Sequence, residues 1–202
     1  MKELDIKRLL VQSLVRKGGA DVLAHEFPFD FGRCRADVLC VKDGELYGYE
    51  IKSAFDNTVR LQSQMLSYHA LFDYVNVVCD RRHLEKVRSA VPVKTGVMVC
   101  DEVGDLKVKR TAKRIKKHSK LLMLDTMTVR QLKMRFRFDA KSKFELCRTI
   151  EATHTLEDIK AALVVSLVER FGEKTKLFIR EVEGVVMLDD FYALELDGDL
   201  IT

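Results

Sequence analysis

One stretch, residues 35–53 (RADVLCVKDGELYGYEIKS), constrains the fold more than any other. Val38, Leu39, Cys40 and Val41 form an apolar run, and Leu46, Tyr47, Tyr49 and Ile51 supply β-forming side chains in a second. Asp43-Gly44 between them is a hairpin signal, because glycine takes φ > 0 without steric cost. Antiparallel pairing across that turn brings Asp37, at the start of the first strand, beside Glu50 and Lys52 at the end of the second. Residues i and i+2 share a face of a strand, so Glu50 and Lys52 project together. Two carboxylates and an ammonium then converge at one end of a sheet.

Such a group suits a hard divalent cation. Mg²⁺ or Mn²⁺ prefers oxygen ligands and usually takes one or two carboxylates with waters and a substrate phosphate, which is the role expected of Asp37 and Glu50. A bound cation lowers the pKa of a coordinated water, and a neighbouring ammonium such as Lys52 stabilises charge that develops during attack. The plainer alternative is an exposed Glu50–Lys52 pair on a solvated hairpin, worth about 0–1 kcal/mol and needing no function.

Downstream, Asp56-Asn57-Thr58 offers capping side chains for a helix over residues 58–72. Leu61, Met65, Tyr68 and Phe72 recur at helical spacing as its buried stripe, and Arg60, Gln64 and Tyr68 line an adjacent stripe that points back toward the strand ends. For Gln64 taken singly, a solvent-facing position is the alternative.

The string RADVL, hairpin, YEIKS, then RLQSQMLSYHALFDYVNVV resembles the PD-(D/E)XK nuclease superfamily. Asp37 matches its first acidic residue, Glu50 and Lys52 its (D/E)XK element, and Gln64 with Tyr68 its QxxxY helix; Ala36 stands where the nominal motif has proline. The resemblance implies a restriction-endonuclease-like αβββαβ core with a mixed central sheet. It also implies a cation held by Asp37, Glu50 and the Ile51 carbonyl, Lys52 near the attacking water, and Gln64 and Tyr68 supporting the site. Some branches add a carboxylate from the first helix or strand, for which Glu26 is available; a surface glutamate on an edge strand is the alternative. The implied activity is Mg²⁺-dependent hydrolysis of DNA, as an endonuclease or exonuclease, in prokaryotic or phage DNA repair, processing or restriction.

The remaining sequence extends this plan. Residues 3–17 read as an amphipathic helix stopped at Gly18-Gly19, residues 22–29 and 75–79 as strands, residues 81–90 as a helix, and residues 96–100 and 106–108 as two further strands. Between residues 107 and 120 the chain carries eight Lys or Arg and no acid, against a net charge of only +4. Clustered cations release counterions from a phosphate backbone, so Lys113, Arg114, Lys116 and Lys117, with Arg35 and Arg60, are expected to bind nucleic acid. A solvated linker is the alternative for this run.

Beyond residue 120 helices are expected over residues 128–134, 143–149 and 156–171. The last is capped by Thr155 with Asp158 and has Ile159, Leu163, Leu167 and Phe171 on its inner stripe. Residues 176–179 and 185–188 around Glu183-Gly184 suggest a final hairpin, and an acidic tail follows over residues 189–199. The domain reading is a core over residues 1–110, a basic linker over 111–125 and a mostly helical region over 126–202. Five cysteines without CxxC spacing read as reduced thiols, with no zinc site.

No run approaches a membrane span and no signal peptide is evident, so a cytoplasmic protein is expected. DNA is the expected partner, with RNA and homodimer formation open. A binding or protein-interaction module that has lost cleavage is the alternative to a nuclease.

Overall fold

The computed structural model describes residues 1–16, 18–101, 104–182, 185–187 and 189–194. Helix α1 (Glu3–Arg16) leads into three strands, β1 (Val22–Phe29), β2 (Cys34–Lys42) and β3 (Glu45–Lys52). Helix α2 (Leu61–Leu71), strand β4 (Tyr74–Asp80), a 3₁₀ turn, helix α3 (Leu84–Ala90) and strands β5 (Gly96–Cys100) and β6 (Leu106–Arg110) follow. The C-terminal region is helical: α4 (Lys120–Asp125), α5 (Val129–Phe136), α6 (Lys143–Thr153) and α7 (Leu156–Glu181), then a 3₁₀ turn over Asp189–Leu194. This is a mixed α/β fold. The six strands form one sheet in chain order; β3, β4 and β5 are mutually parallel and the outer pairings antiparallel.

The central hairpin follows from its turn. Asp43 and Gly44 both take positive φ, 52° and 73°, the backbone of a two-residue turn whose twist matches the strands. Tight packing explains Gly48: a Cβ there would stand 2.5 Å from the Phe72 ring.

Both faces of the sheet are covered. On one, Leu39, Leu46, Val77 and Val99 meet α2 and the helices of the C-terminal region. On the other, Val38, Tyr49, Ile51 and Val78 meet α1 and the last turns of α7. Helix α7 crosses the β1 edge and reaches both cores. There the Thr175 hydroxyl accepts from the Leu23 N–H (2.9 Å) and donates to its carbonyl (3.3 Å), capping backbone groups that an edge strand leaves open.

Two expectations are corrected. Residues 176–179 are not a hairpin strand but part of α7, because the apolar stripe continues past Phe171 through Thr175 and Phe178 to Val182, all buried. The proposed hairpin turn, Glu183-Gly184, lies outside the described residues, as do Leu188 and the tail from residue 195. Helix α2 begins at Leu61, not at residue 58, since the side chains expected to cap it fold the preceding loop: Asp56 accepts from the Ser53 N–H (2.5 Å) and Asn57 from the Val59 N–H (2.8 Å). The Thr155–Asp158 capping box forms at α7.

The stretch 111–125 divides into an irregular strap, residues 111–119, and helix α4. The strap is tied down: the Lys113 N–H donates to the Lys94 carbonyl (2.9 Å), that of Ile115 to Asp73 (2.8 Å) and that of Ser119 to Ala70 (2.8 Å), while the Ile115 side chain is buried.

Candidate functional site

The ends of β2 and β3 bring charged groups together as the hairpin predicts. Val38 pairs with Tyr49, so Asp37 lies beside Glu50, and its carboxylate accepts from the Ile51 N–H at 2.5 Å. Glu50 is 3% exposed. The Lys52 ammonium donates to one of its oxygens (2.7 Å) and the Tyr68 hydroxyl to the other (2.6 Å). Gln64 is half-buried on the same side of the sheet, where its side-chain oxygen accepts from Lys52 at 3.3 Å.

Glu26 enters this group from β1. The register pairs His25 with Val38 and Phe27 with Ala36, which leaves Glu26 facing Asp37. Like charges placed directly opposite on a sheet repel. The ladder breaks at this step: Glu26 adopts φ 52°, an unfavourable backbone for glutamate, and the inward alternation of both strands changes phase there. Val22 and Ala24 before Glu26 line the same core as Phe27 and Phe29 after it.

Two residues of this cluster escape a sequence reading. Lys7 of α1 is buried and donates to Glu26, with Glu3 at 3.4 Å. Burial alone would lower Lys7, but the hydrogen bond and charge of Glu26 reverse this and raise its pKa. The Glu3–Lys7 spacing of i, i+4 was the available signal, yet it is common on solvated helices. One carboxylate oxygen from each of Glu3, Glu26 and Asp37 lies within 4.8 Å of the others, so these three have the spacing to hold a metal ion.

Burial and then the Glu50 charge push Asp37 up to about 8 from an ordinary value near 3.8. Burial and the Glu50 and Asp37 charges raise Tyr68 well above the usual phenol range, which keeps it a donor.

The residues expected to bind nucleic acid do not gather here. Arg35 is largely exposed, 3.6 Å from Glu26, and Arg60 is exposed at the start of α2. Lys113, Arg114, Lys116 and Lys117 are exposed on the strap, whose anchors lie beside the N-terminal ends of β3 and β4. The cluster lies at the C-terminal end of β3, about 20 Å away at the rise of a strand. Arg114 pairs with Glu45 at 2.6 Å.

Fold and site define a mixed-sheet α/β protein whose third strand ends in a buried, internally paired group of carboxylates and ammoniums. Residues 1–195 match the family described as bacteriophage P4 protein cII. The chain belongs to that family. Protein cII of Enterobacteria phage P4 is 31% identical over 101 residues, which cover 48% of this chain and 38% of that relative. The matched stretch thus spans well under half of the relative's length. A solved structure, the SPO1766 protein of unknown function from Silicibacter pomeroyi, aligns over 77% of this chain and 97% of its own at 19% identity, with a TM-score of 0.44.

The match over residues 1–195 overturns the assignment to the PD-(D/E)XK nuclease superfamily. With it fall the Mg²⁺-dependent endonuclease or exonuclease activity and the place in DNA repair, processing or restriction. The motif misled for a physical reason. An E-x-K pair at a strand end, followed by a helix bearing Gln and Tyr, is also what a chain needs to neutralise a buried glutamate from within. Among the described residues no helix is long and apolar enough to cross a membrane.

Proposed function

We propose that the protein binds nucleic acid, DNA in the first instance, along the strap over residues 111–119 and the adjoining strand β6, in a regulatory rather than hydrolytic role. One observation carries this reading. Lys109 on β6 and Lys113, Lys116 and Lys117 on the strap are exposed without an ion pair among the described residues, and the strap backbone is fixed by Lys94, Asp73 and Ala70. Cations already held in place lose little freedom on meeting a polyanion, and counterions released from phosphates supply affinity for any sequence. The bacteriophage family makes phage DNA the natural occupant.

The test is salt-dependent binding of a duplex oligonucleotide by the wild type and by a variant with Lys113, Arg114, Lys116 and Lys117 all changed to Ala. Removing each cation that neutralises a phosphate should reduce the log–log salt slope by about 0.9. An unchanged slope rejects the strap as the binding surface.

The convergence of Glu3, Glu26 and Asp37 favours a second reading, a Mg²⁺ or Mn²⁺ ion at these oxygens in place of the Lys7 ammonium. The donor set fits a hard cation. Glu50 borders it through its charge on Asp37, although both Glu50 oxygens are engaged by Lys52 and Tyr68. The ion would supply a positive charge where the facing carboxylates repel. Calorimetric titration with MgCl₂ and MnCl₂ should give saturable binding that Asp37→Asn weakens; absence of saturable heat rejects the site.

A further inference from the structure

The turn that leads into β5 gathers cations without a matching acid. The Thr95 N–H donates to the Pro92 carbonyl (2.9 Å) and closes a tight turn, with Val93 and Lys94 exposed at its tip. Arg110, the last residue of β6, clasps this turn: its Nε donates to the Thr95 carbonyl (2.7 Å) and its Nη2 to the Pro92 carbonyl (3.2 Å). The two bonds fix the guanidinium and leave Nη1 without a partner among the described residues.

Two further cations stand on the same side of the sheet. Arg110 pairs with Val97, whose side chain joins the core under α2 and α3, and cross-strand partners project together. Arg88 lies in the last turn of α3, and burial, then the charge of Arg88, lowers Arg110 from its ordinary pKa. His69 of α2 bonds to the Thr95 hydroxyl (2.7 Å); burial, then the charges of Lys94 and His118, lower it too. Lys94 and Arg110 have no carboxylate partner among the described residues, and Arg88 meets Glu85 at 3.9 Å, beyond hydrogen-bond distance, with both side chains exposed. The acids that the strap reaches, Asp73 and Glu45, are taken by His118, Lys160 and Arg114.

We propose that Arg88, Lys94 and Arg110, at the Pro92–Thr95 turn, form a binding site for a terminal phosphate group. The excess of charge selects the occupant. A phosphate monoester carries about two negative charges and three acceptor oxygens, enough for a guanidinium fork and an ammonium together, whereas a carboxylate or a backbone diester carries about one charge. Arg110 is already held in place by the turn, so little freedom is lost when the anion arrives. Two sources share this chemistry, the phosphorylated end of a polynucleotide and a free phosphate compound. The strap starts at this turn, where the Lys113 N–H donates to the Lys94 carbonyl (2.9 Å). A polynucleotide end therefore rests on the nucleic-acid reading above, while a free phosphate compound is independent of it.

The experiment compares the full chain with the double variant Arg88→Gln/Lys94→Gln, both at exposed positions. A control pair, Arg148→Gln/Lys176→Gln, removes the same charge from α6 and α7. Calorimetry at constant ionic strength reads binding of inorganic phosphate and of pyrophosphate, and fluorescence anisotropy reads binding of a short duplex with and without a 5′-phosphate. The double variant should lose about 10- to 100-fold in affinity for the phosphate probe that binds, and the control pair should not. A preference for the 5′-phosphorylated duplex that the double variant loses assigns the site to polynucleotide ends; saturable binding of phosphate or pyrophosphate without that preference assigns it to a free compound. If no probe distinguishes the double variant from the wild type, or if the control pair loses as much, the site is overturned. Lys113, Arg114, Lys116 and Lys117 remain in the double variant, so duplex binding without a 5′-phosphate preference leaves the strap reading standing. A wild type that binds neither duplex rejects the strap reading, and the phosphate and pyrophosphate titrations then decide the turn site alone.

Discussion

Strand β3 carries a buried carboxylate cluster at each end, and the two have opposite electrostatics. At its N-terminal end Asp73 is 1% exposed and surrounded by donors: the Leu46 N–H (2.8 Å), Lys160 (2.8 Å) and His118 (3.2 Å). Glu45 beside it pairs with Lys160 (2.7 Å) and Arg114 (2.6 Å). Burial alone would raise Asp73, but hydrogen bonds from His118, Leu46 and Lys160 hold it well below the usual carboxylate range. At the C-terminal end Asp37 has one backbone donor and three carboxylate neighbours, and is raised to about 8. Burial is common to both. What differs is the ratio of donors to acids, and that ratio decides whether a buried carboxylate is held below or above its ordinary pKa.

The largest expected effect tests the satisfied end. Asp73→Ala removes the acceptor of Leu46, Lys160 and His118 at once and leaves an ammonium without its deepest partner, so stability should fall by about 3–5 kcal/mol. Thermal or urea denaturation measures it, and amide exchange at Ile115, whose N–H is held by the Asp73 carbonyl, should quicken as the strap loosens. A loss under about 1 kcal/mol would mean that the network is solvated and that the contrast with Asp37 is overstated.

The second effect has the opposite sign. Asp37 in the folded chain keeps a proton that the unfolded chain releases near 3.8, so between about pH 4 and 8 the native state binds more protons and stability falls as pH rises, levelling above 8. Asp73 does the reverse: its depressed value gives stability that is present above the unfolded value and lost as pH falls toward the folded one. Asp37→Asn keeps an acceptor for the Ile51 N–H without the charge. In metal-free buffer it should stabilise the protein at pH 9 by an amount of order 2 kcal/mol, with little change at pH 5. Destabilisation at pH 9 would show that the Asp37 charge is compensated after all.

How far the sequence reveals these two ends follows from how local each is. The Asp37–Glu50–Lys52 grouping was legible because a two-residue turn fixes the register, and register fixes neighbours. Gln64 and Tyr68 were legible because helical spacing places them on faces that look toward the strand end. The Asp73 network was not, since Glu45, Asp73, His118 and Lys160 are drawn from a strand, a strand entry, a strap and a helix, with no spacing in common. Glu3 and Lys7 were hidden in the same way: the amphipathic pattern of α1 shows which side is apolar but not which sheet end the helix crosses. Function was less legible than fold. The same three residues serve an internal ion pair as readily as a metal site, and only a match along nearly the whole chain decided the family.

A pair of effects, the smallest of all among them, separates the two supports around Glu50. The Tyr68 hydroxyl is buried and donates to a buried charge at 2.6 Å, so Tyr68→Phe should cost about 1.5–3 kcal/mol, the range for a hydrogen bond to an ionised group. Gln64 is half-buried, and water can replace it as the 3.3 Å partner of Lys52, so Gln64→Ala should change stability by no more than about 0.5 kcal/mol. Denaturation of the two variants and of their combination measures both effects and their coupling. If Gln64→Ala costs as much as Tyr68→Phe, Lys52 depends on Gln64 to stay paired with Glu50, and the C-terminal end of β3 is nearer to the satisfied state of Asp73 than its charges suggest.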